Sequence, residues 1–508
     1  MSAVARTALL GCSVLLLAPS GRADEAPFAT SRAALPGRVV EVLAEPAAGP
    51  APPRLVAVSV EGSAPDETRR VTAFTVGPGG ALQGQGSLPV PADAVSFDIA
   101  DVVPGGDLEV VFLASDRVEV RSLSGAALQS RAIAPALPLP PRTRGFLHQP
   151  LLAPWSGDGA LSALVPALGG LANVPLAGSP VALLPFPLMT DYLAGDADAG
   201  VKPGMLAAVI GWPEVARGDD DGDGRPDIFA FSRYELAVFR TSAAGLPAAA
   251  SRRASLRPFT AEEELRPAAE SASLFARDLD GDGLVDLVLH RTFGTLLKSD
   301  ATTSIWHNGG TGADPEAPPD AKVGGGGGFG SIFLEDLDGD GRSEAVQLFV
   351  PFSVVQLVRT VVTGAVQADL RVFRLDPPGI AGTTETYKDT LTVALDADRG
   401  RVSGILPNLR GDWNGDGLHD LLHGESLERL VIRLGGKGEA GPRFGGVAAT
   451  LEVESTDRAV VADFDGDGLD DLALFDTLRE SGGVRLLRNL GTLPGTGAQV
   501  RAPSESPR

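Results

Sequence analysis

The chain contains a single cysteine, Cys12, among 508 residues, so a disulfide within the chain is excluded as a source of stability. Aromatic residues make up only 5%, with three tyrosines and five histidines, and neither a nucleophile elbow nor a Ser-His-Asp pattern stands out. After residue 23 no apolar run reaches the roughly 18 residues that a transmembrane helix needs. These shortages weigh against a disulfide-rich domain, a membrane-spanning protein and a hydrolase built on familiar motifs.

The first 23 residues are predicted to be an export signal. Arg6 precedes the apolar run Ala8–Ala18, and Gly21-Arg22-Ala23 offers a small-x-small cleavage site. The phrase LLGC, which ends at Cys12, has an alternative interpretation as a lipid attachment site, but the leucines after Cys12 continue the apolar run. We therefore expect an exported protein, either secreted, periplasmic or at the cell surface.

The net charge and the turn-forming residues restrict the possible folds and partners further. The formal net charge is −22, from 65 acidic and 43 basic residues, which weighs against nucleic acid or an anionic membrane as partner. The 63 glycines and 40 prolines indicate many turns, which are typical of short strands rather than long helices.

One acidic phrase, D-x-[DN]-G-D-G-x-x-[DE], occurs five times, at Asp219–Asp227, Asp278–Asp286, Asp336–Glu344, Asp412–Asp420 and Asp463–Asp471. Side-chain oxygens at positions 1, 3 and 5 of such a loop converge, and the glycines at positions 4 and 6 permit the left-handed backbone that this convergence needs. A main-chain carbonyl at position 7 and the acid at position 9 complete an all-oxygen shell. This shell suits a hard cation of calcium size.

The sequence therefore predicts about five Ca²⁺ ions and no other cofactor. The predicted ligands are Asp219, Asp221, Asp223, Asp227, Asp278, Asp280, Asp282, Asp286, Asp336, Asp338, Asp340, Glu344, Asp412, Asn414, Asp416, Asp420, Asp463, Asp465, Asp467 and Asp471. Nineteen of these twenty residues are acidic, so five divalent ions would move the formal charge from −22 to about −12. Much of the acidity is thus explained by metal binding.

The residues after each loop decide which class of calcium loop this is. A helix-loop-helix hand would place a glutamate at position 12, where this chain has Ala230, Leu289, Gln347, His423 and Leu474. Short apolar segments of strand composition follow instead, such as DIFAF and DLALF. In this combination the chain resembles the FG-GAP/VCBS repeat family, whose calcium-loop blades also form the head of integrin α chains.

The resemblance implies an all-β fold, a single β-propeller of four-stranded blades in which each calcium loop joins two strands of one blade. It implies structural calcium in the C-terminal five blades and a rigid disc that presents a recognition surface to a protein or a glycan. Its partner is not identified by the sequence. A role as a spacer in a larger surface assembly is also compatible with the pattern.

Repeats extend towards the N-terminus. Decayed loops start at Asp101 and Pro154, and a fainter unit begins near Glu45, so eight units start near 45, 101, 154, 219, 278, 336, 412 and 463. Eight blades are favoured over seven, the alternative being that the first unit only supplies strands to the last blade. The predicted propeller spans residues 37–492, with a linker at 24–36 and a disordered tail at 493–508.

An enzyme is the competing hypothesis. Some eight-bladed polysaccharide lyases use a similar propeller, in which calcium can neutralise a uronate, so a calcium-dependent lyase or hydrolase on the propeller face is the alternative. Such a site needs basic or phenolic residues in the central depression, and the supply of tyrosine is poor, with Tyr192, Tyr234 and Tyr387 alone. We predict no catalytic residues and favour binding over catalysis.

Two short phrases have more ordinary explanations. Arg-Gly-Asp occurs at Arg217–Asp219 and Arg410–Asp412, but each aspartate is also position 1 of a predicted calcium loop. His419-Asp420-Leu-Leu-His423 resembles a zinc phrase that requires a helix, whereas the segment here reads as a strand. Adhesion through the tripeptide and zinc binding are both disfavoured.

Overall fold

A computed structural model of the chain describes residues 27–45, 51–63, 66–77, 79–103, 105, 107–137, 139, 148–188, 190–194, 206–266, 269–295, 298–326, 328–351, 365–375, 383–396, 401–402, 407–426, 428–454, 458–479 and 482–493. The predicted export signal with Cys12 lies outside these residues, as does nearly all of the predicted tail. Within the described part of the chain, no helix is long and apolar enough to cross a membrane.

The protein is an eight-bladed β-propeller whose blades are antiparallel sheets, most of them built from four consecutive strands. The strands of the first three blades are, for blade 1, β2 (Arg38–Glu45), β3 (Arg54–Glu61), β4 (Thr68–Val76) and β5 (Leu82–Pro89); for blade 2, β6 (Ser96–Ala100), β7 (Glu109–Leu113), β8 (Arg117–Ser122) and β9 (Ala127–Ala132); for blade 3, β10 (Leu152–Ala153), β11 (Ser162–Ala167), β12 (Gly170–Pro175) and β13 (Ala182–Pro185). Between blades 3 and 4 lies a separate two-stranded sheet of β14 (Thr190–Ala194) and β15 (Leu206–Ile210), which the repeat pattern did not predict.

Blades 4 to 7 contain the first four acidic loops. Their strands are, for blade 4, β16 (Glu214–Gly218), β17 (Asp227–Phe231), β18 (Glu235–Phe239) and β19 (Arg252–Ser255); for blade 5, β20 (Ala269–Arg277), β21 (Asp286–Thr295), β22 (Lys298–Trp306) and β23 (Ala321–Gly326); for blade 6, β24 (Gly328–Glu335), β25 (Glu344–Pro351), β26 (Ala365–Leu375), β27 (Thr383–Asp396) and β28 (Arg401–Val402); for blade 7, β29 (Asn408–Gly411), β30 (Asp420–Ser426), β31 (Arg429–Lys437) and β32 (Pro442–Glu452). Blade 6 thus has a fifth strand, β28. A single helical turn, α1 (Ala261–Glu264), precedes blade 5.

Blade 8 is completed by the N-terminus of the chain. Its strands β33 (Arg458–Ala462), β34 (Asp471–Phe475) and β35 (Gly483–Asn489) are joined by β1 (Phe28–Ala34), which pairs antiparallel with β35 from Phe28 opposite Asn489 to Ala34 opposite Gly483. This pairing closes the ring and leaves the first unit free to form a complete blade, so the ring has eight blades rather than seven.

The strand β1 corrects the linker predicted at residues 24–36. Its sequence FATSRAA is short of apolar residues, and only Phe28 is buried while the following residues alternate between half-buried and exposed. An edge strand needs one contact face and a row of backbone hydrogen bonds, which small polar residues supply without a hydrophobic pattern. That is why the composition indicated a linker.

The core is divided among the interfaces between neighbouring blades. Within the described residues, one hydrophobic cluster lies at each of the eight interfaces, including the one between blade 8 and blade 1, where Phe464 and Phe475 pack with Val39 and Phe74. Second strands such as β17 (DIFAF) and β34 (DLALF) are buried along their whole length because a neighbouring blade covers each face. The apolar runs after the acidic loops are therefore strands, as predicted.

Candidate metal centre

All five acidic loops occupy the same place in their blades, between the first strand and the second. The first strands of neighbouring blades approach one another, as β16 does with β20, β29 with β33, and β33 with β2. The first strands thus surround the centre of the ring, and the loops turn outward from them. Each loop joins two strands of one blade, as the resemblance implied.

The backbone of each loop is the tight turn that the glycines were expected to permit. At positions 4 and 6 of all five loops φ lies between +69° and +88°, a range in which a residue with a Cβ atom is strained. The aspartate at position 1 accepts the N–H groups of both glycines, at 2.7–2.9 Å. The turn is therefore built by its first carboxylate and its two glycines.

Four of the loops bring three carboxyl groups together. One ligand oxygen from each member lies within 4.8 Å of the others in the sets Asp219, Asp221, Asp227; Asp278, Asp280, Asp282; Asp336, Asp338, Glu344; and Asp463, Asp465, Asp471. Positions 1 and 3 belong to every set, whereas position 5 belongs to one set and position 9 to three. The carboxylate of Asp223, at position 5 of the first loop, pairs instead with Arg225 at 2.8 Å.

Two oxygens in these clusters lack a donor. Asp221 Oδ1 and Asp338 Oδ1, both at position 3, are buried and have no hydrogen-bond partner in the described part of the chain. A buried carboxylate oxygen without a donor is unfavourable, and a cation at the centre of the cluster would compensate it. The donor set is entirely oxygen, so the residues present fit a hard divalent ion.

The loop from Asp412 to Asp420 differs from the others. At position 3 it carries Asn414, whose Nδ2 donates to Asp416 Oδ2 at 3.0 Å. The turn itself is retained, because Asp412 accepts the N–H groups of Gly415 and Gly417 at 2.8 Å. This loop therefore has the same backbone and one charge fewer.

The acid at position 9 has a structural role that the sequence did not reveal. Asp227, for example, accepts the N–H of Asp220 at 3.0 Å through one oxygen and the N–H of Thr241 at 2.7 Å through the other. The equivalent acids Asp286, Asp420 and Asp471 likewise hold the residue at position 2 and a residue at the end of the third strand. Position 9 thus ties the loop to its blade as well as facing the cluster.

These position 9 acids are almost completely buried, with at most 1% of each residue exposed. Burial raises the pKa of Asp227 to about 6 and the pKa values of Glu344, Asp420 and Asp471 to about 7, although backbone N–H donors oppose the shift. The neighbouring loop acids raise them further. A cation among these groups would favour their charged forms, so proton binding and metal binding compete at the same place.

The loops of neighbouring blades are hydrogen-bonded in series. The N–H at position 8 of each later loop donates to a carbonyl at position 1 or 2 of the loop before it: Val285 to Asp219 at 2.8 Å, Ser343 to Leu279 at 2.7 Å, His419 to Leu337 at 3.2 Å and Asp470 to Asp412 at 3.2 Å. Backbone hydrogen bonds therefore join the five loops into one arc that runs from blade 4 to blade 8.

Two buried asparagines reinforce this arc. Asn489 Nδ2 donates to the carbonyl oxygen of Trp413 at 2.8 Å, which links blade 8 to the loop of blade 7. Asn308 Nδ2 donates in the same way to the carbonyl of Asp220 at 3.0 Å, which links blade 5 to the loop of blade 4. Asn489 ends a third strand and Asn308 follows one, and both begin an Asn-x-Gly phrase, a signal that was present in the sequence and not used.

The decayed loops keep parts of this architecture. In blade 2 the carboxylate of Glu109, at position 9, accepts the N–H groups of Val102 at 2.8 Å and Val103 at 3.2 Å. In blade 3 the glycines at positions 4 and 6, Gly157 and Gly159, have φ values of +74° and +81°. Blade 2 has thus retained the anchoring acid and blade 3 the glycine turn, which identifies both units as blades of the same repeat.

A second group of ionisable residues lies on the inner strands of blades 1 and 2, and the sequence pattern did not predict it. His148 Nε2 is 2.8 Å from Asp98 Oδ1, and the N–H of His148 donates to Glu41 at 2.7 Å. Burial and the charge of Asp98 raise the pKa of the nearby Glu45 to about 7. Burial lowers the pKa of His148, but the hydrogen bond to Asp98 and the charge of three carboxylates outweigh it, so the pKa is raised.

The structure also shows the surroundings of the two Arg-Gly-Asp tripeptides and of the zinc-like phrase. Asp219 and Asp412, the last residues of the Arg-Gly-Asp tripeptides, have their carboxylates directed to loop N–H groups. Asp420 and His423 lie on strand β30, as the strand interpretation predicted, and burial lowers the pKa of His423 to about 4.

Comparison with known protein families supports the repeat interpretation over one part of the chain. Residues 278–346 match the FG-GAP-like repeat family. Among curated protein sequences none matches the chain.

Solved structures that resemble the chain share little sequence with it. The Vibrio cholerae biofilm matrix protein Bap1 is 12% identical, over 91% of this chain and 88% of that one, with a TM-score of 0.32. Sqt1 of Chaetomium thermophilum is 12% identical over 92% and 95%, with a TM-score of 0.39. The polysaccharide lyase Uly1 is 9% identical over 86% and 88%, with a TM-score of 0.32.

Proposed function

This chain is a β-propeller of the FG-GAP-like repeat type, and from that premise we propose that it is an exported calcium-binding module. Calcium in the five loops has a structural role, and the rigid disc presents a recognition surface to a protein or a glycan. The export signal predicted at residues 1–23 would direct the protein out of the cytoplasm. Calcium is abundant there, so the loops would be supplied with it.

The observation that carries the metal proposal is the pair of buried, donor-free oxygens on Asp221 and Asp338. Each belongs to a cluster of three carboxyl groups on a turn whose backbone is already fixed by glycine. Calcium is favoured over zinc because every predicted ligand is an oxygen, and over magnesium because flexible carboxylate loops suit six to eight ligands better than a strict octahedron.

Calcium would act by joining strands rather than by catalysis. Each loop connects the first and second strands of its blade, and in four of the five loops the position 9 acid also accepts a hydrogen bond from the end of the third strand. An ion at that point neutralises acids that otherwise repel one another in a chain with no disulfide. At free calcium a hundredfold above the dissociation constant, each site would stabilise the fold by about 2.7 kcal/mol.

The geometry supports binding more than it supports a lyase or hydrolase. A lyase of this kind would need a readily ionised phenol or a free base. Tyr387 is part-buried, its hydroxyl donates to Asp389 Oδ2 at 3.1 Å, and burial together with the charge of Asp389 raises the pKa of Tyr387. Arg433 pairs with the same carboxylate. This group is thus satisfied internally and poorly suited to remove a proton from a substrate.

Calorimetric melting with and without a calcium-specific chelator tests the metal proposal. We expect chelation to lower the melting temperature and calcium, but not magnesium, to restore it. The variant Asp338→Ala, which removes the ligand at position 3, should bind one ion fewer, whereas the matched variant Asp158→Ala, in the decayed loop of blade 3, should bind as many as the wild type. Identical melting curves with and without chelator would remove the proposal.

A further inference from the structure

A basic cleft of about 620 Å³ opens between blades 4 and 5. One wall is the chain that leaves strand β19, from Ser255 to Thr260, and the other is the side of blade 5 that faces blade 4. Pro315 and Glu316 border its edge. This volume lies within the range of about 300–1,000 Å³ that is usual for ligand pockets.

The register of blade 5 assembles the polar wall. Arg291 on β21 lies opposite Thr302 on β22, and Ser304 on β22 lies opposite Lys322 on β23. Residues opposite each other, and residues two apart on one strand, project from the same face of a sheet. These four side chains therefore form one continuous patch of two cations and two hydroxyl groups.

Two cations of the cleft are available to a ligand. Arg257 and Lys322 are both exposed, and neither side chain makes a hydrogen bond or an ion pair with the described part of the chain. Arg291 is committed to the protein, because it donates to Glu263 at 3.0 Å and to the carbonyl of Pro258 at 3.0 Å. The carboxylate of Glu316 accepts the N–H of Ser255 at 2.8 Å.

Such a pair of unneutralised cations is unexpected in a chain of net charge −22. Elsewhere in the described residues most arginines pair with the abundant acids, as Arg240 and Arg252 do with the buried Asp220. A positive cleft on an otherwise negative surface attracts anions locally while the rest of the molecule repels them. The charge pattern therefore selects a ligand with few, well-placed negative groups.

The floor of the cleft argues for a sugar rather than a peptide. Phe259 and Trp306 lie there with only 5% and 6% of their surface exposed, and the indole N–H of Trp306 is donated to the carbonyl of Ala317 at 2.9 Å. A protein partner needs pockets that accept its apolar anchors, and this floor is closed to them. The hydroxyl group of Ser304 suits a hydroxylated ligand, and that of Thr302, which donates to Asp300 Oδ2 at 2.9 Å, can still accept a hydrogen bond from such a ligand.

We propose that this cleft binds an acidic oligosaccharide. Arg257 and Lys322 pair with its anionic groups, carboxylate or sulfate, and Thr302 and Ser304 hydrogen-bond to its hydroxyl groups. The proposal rests on the recognition role proposed above and names the ligand class, but it does not depend on calcium, because neither cation lies in an acidic loop.

The test is calorimetric titration of the whole protein at saturating calcium with four probes. These are an oligogalacturonate, a sulfated dextran oligosaccharide, a neutral malto-oligosaccharide and an oligoglutamate. Arg257→Gln and Lys322→Gln are compared with Arg443→Gln, which removes the same charge from an exposed arginine of blade 7. Melting curves of all variants confirm that they fold.

We expect one or both acidic saccharides to bind and the neutral saccharide and the peptide not to bind. Arg257→Gln and Lys322→Gln should each weaken binding about tenfold, as for one charge-assisted hydrogen bond, and Arg443→Gln should leave it unchanged. The preferred acidic saccharide identifies carboxylate or sulfate as the recognised group.

Any of three results would overturn the proposal. The first is that oligoglutamate binds and that both cleft variants weaken its binding equally. The second is that Arg443→Gln weakens saccharide binding as much as the cleft variants do, and the third is that neither acidic saccharide binds. If chelation still lowers the melting temperature in that case, the cleft alone is wrong and the calcium module stands. If the cleft binds while chelation has no effect, the calcium module alone is wrong.

Discussion

Asn489 offers a sharp test of how neighbouring loops are joined. Its side chain is completely buried, and its Nδ2 donates to the carbonyl of Trp413 at 2.8 Å and to that of Asp470 at 3.3 Å. Asn489→Ala removes both donors and leaves the backbone N–H that holds Asp471 in place. We expect the variant to weaken the arc at its junction between blades 7 and 8.

The size of the effect follows from the buried carbonyl left without a donor, which is worth about 1–3 kcal/mol. A propeller that spans residues 28–489 has an unfolding entropy of about 1 kcal/mol/K at the usual value per residue, so the melting temperature should fall by about 1–3 °C. If calcium must first restore the order of both loops, the same free energy appears as a loss of calcium affinity of about 5- to 150-fold in total, shared between the sites of blades 7 and 8.

Calorimetric titration of calcium into the metal-free protein measures this loss. The matched control is Asn173→Ala in blade 3, because Asn173 is equally buried and donates to Ser156 at 3.0 Å but lies beside a loop without clustered acids. The control should lower the melting temperature and leave the calcium isotherm unchanged. If Asn489→Ala and Asn173→Ala both give the wild-type isotherm, the arc does not couple the loops.

Two further predictions concern the parts of the ring without acidic loops. The folded-state pKa of Glu45, about 7, lies above its ordinary value of 4.5, so its stabilising effect is complete below pH 4.5 and is lost as the pH rises through 7. At saturating calcium the stability should therefore fall between about pH 4.5 and pH 7, by about 1–2 kcal/mol after allowance for partial exposure, and Glu45→Gln should flatten that slope in denaturant titrations. His148, whose pKa is also raised, has the same sign, so part of the slope should remain; an unchanged slope would contradict the assignment. Deletion of residues 28–34 removes β1 and thereby exposes the edge of β35 and the face of Trp413 that Phe28 covers. We expect this deletion to cause aggregation or a large fall in melting temperature. Removal of residues 494–508, the control, should cause neither effect.

The loops were predictable because their chemistry is local. The carboxylate at position 1 and the glycines at positions 4 and 6 determine a turn within nine residues, and the structure shows this turn in all five loops and, in part, in blade 3. The eight blades followed from the spacing of these loops. The apolar runs after them were predictable as strands because they are buried on both faces.

The features that the sequence did not predict depend on contacts between distant segments of the chain. β1 could not be assigned because its partner β35 lies at the other end of the chain and its own residues are small and polar. The anchoring role of position 9, as in Asp227, depends on an N–H of the third strand. The cations of the cleft, Arg257 and Lys322, are ordinary surface residues until the two blades bring them to one opening.

The central claim is that metal ions lie within the five acidic turns. The most direct measurement is an anomalous diffraction map of crystals grown in saturating calcium. We predict one calcium peak in each of the five loops, about 2.3–2.6 Å from the side-chain oxygens at positions 1 and 3. Loops that show the same turns without a peak at saturating calcium would contradict the account.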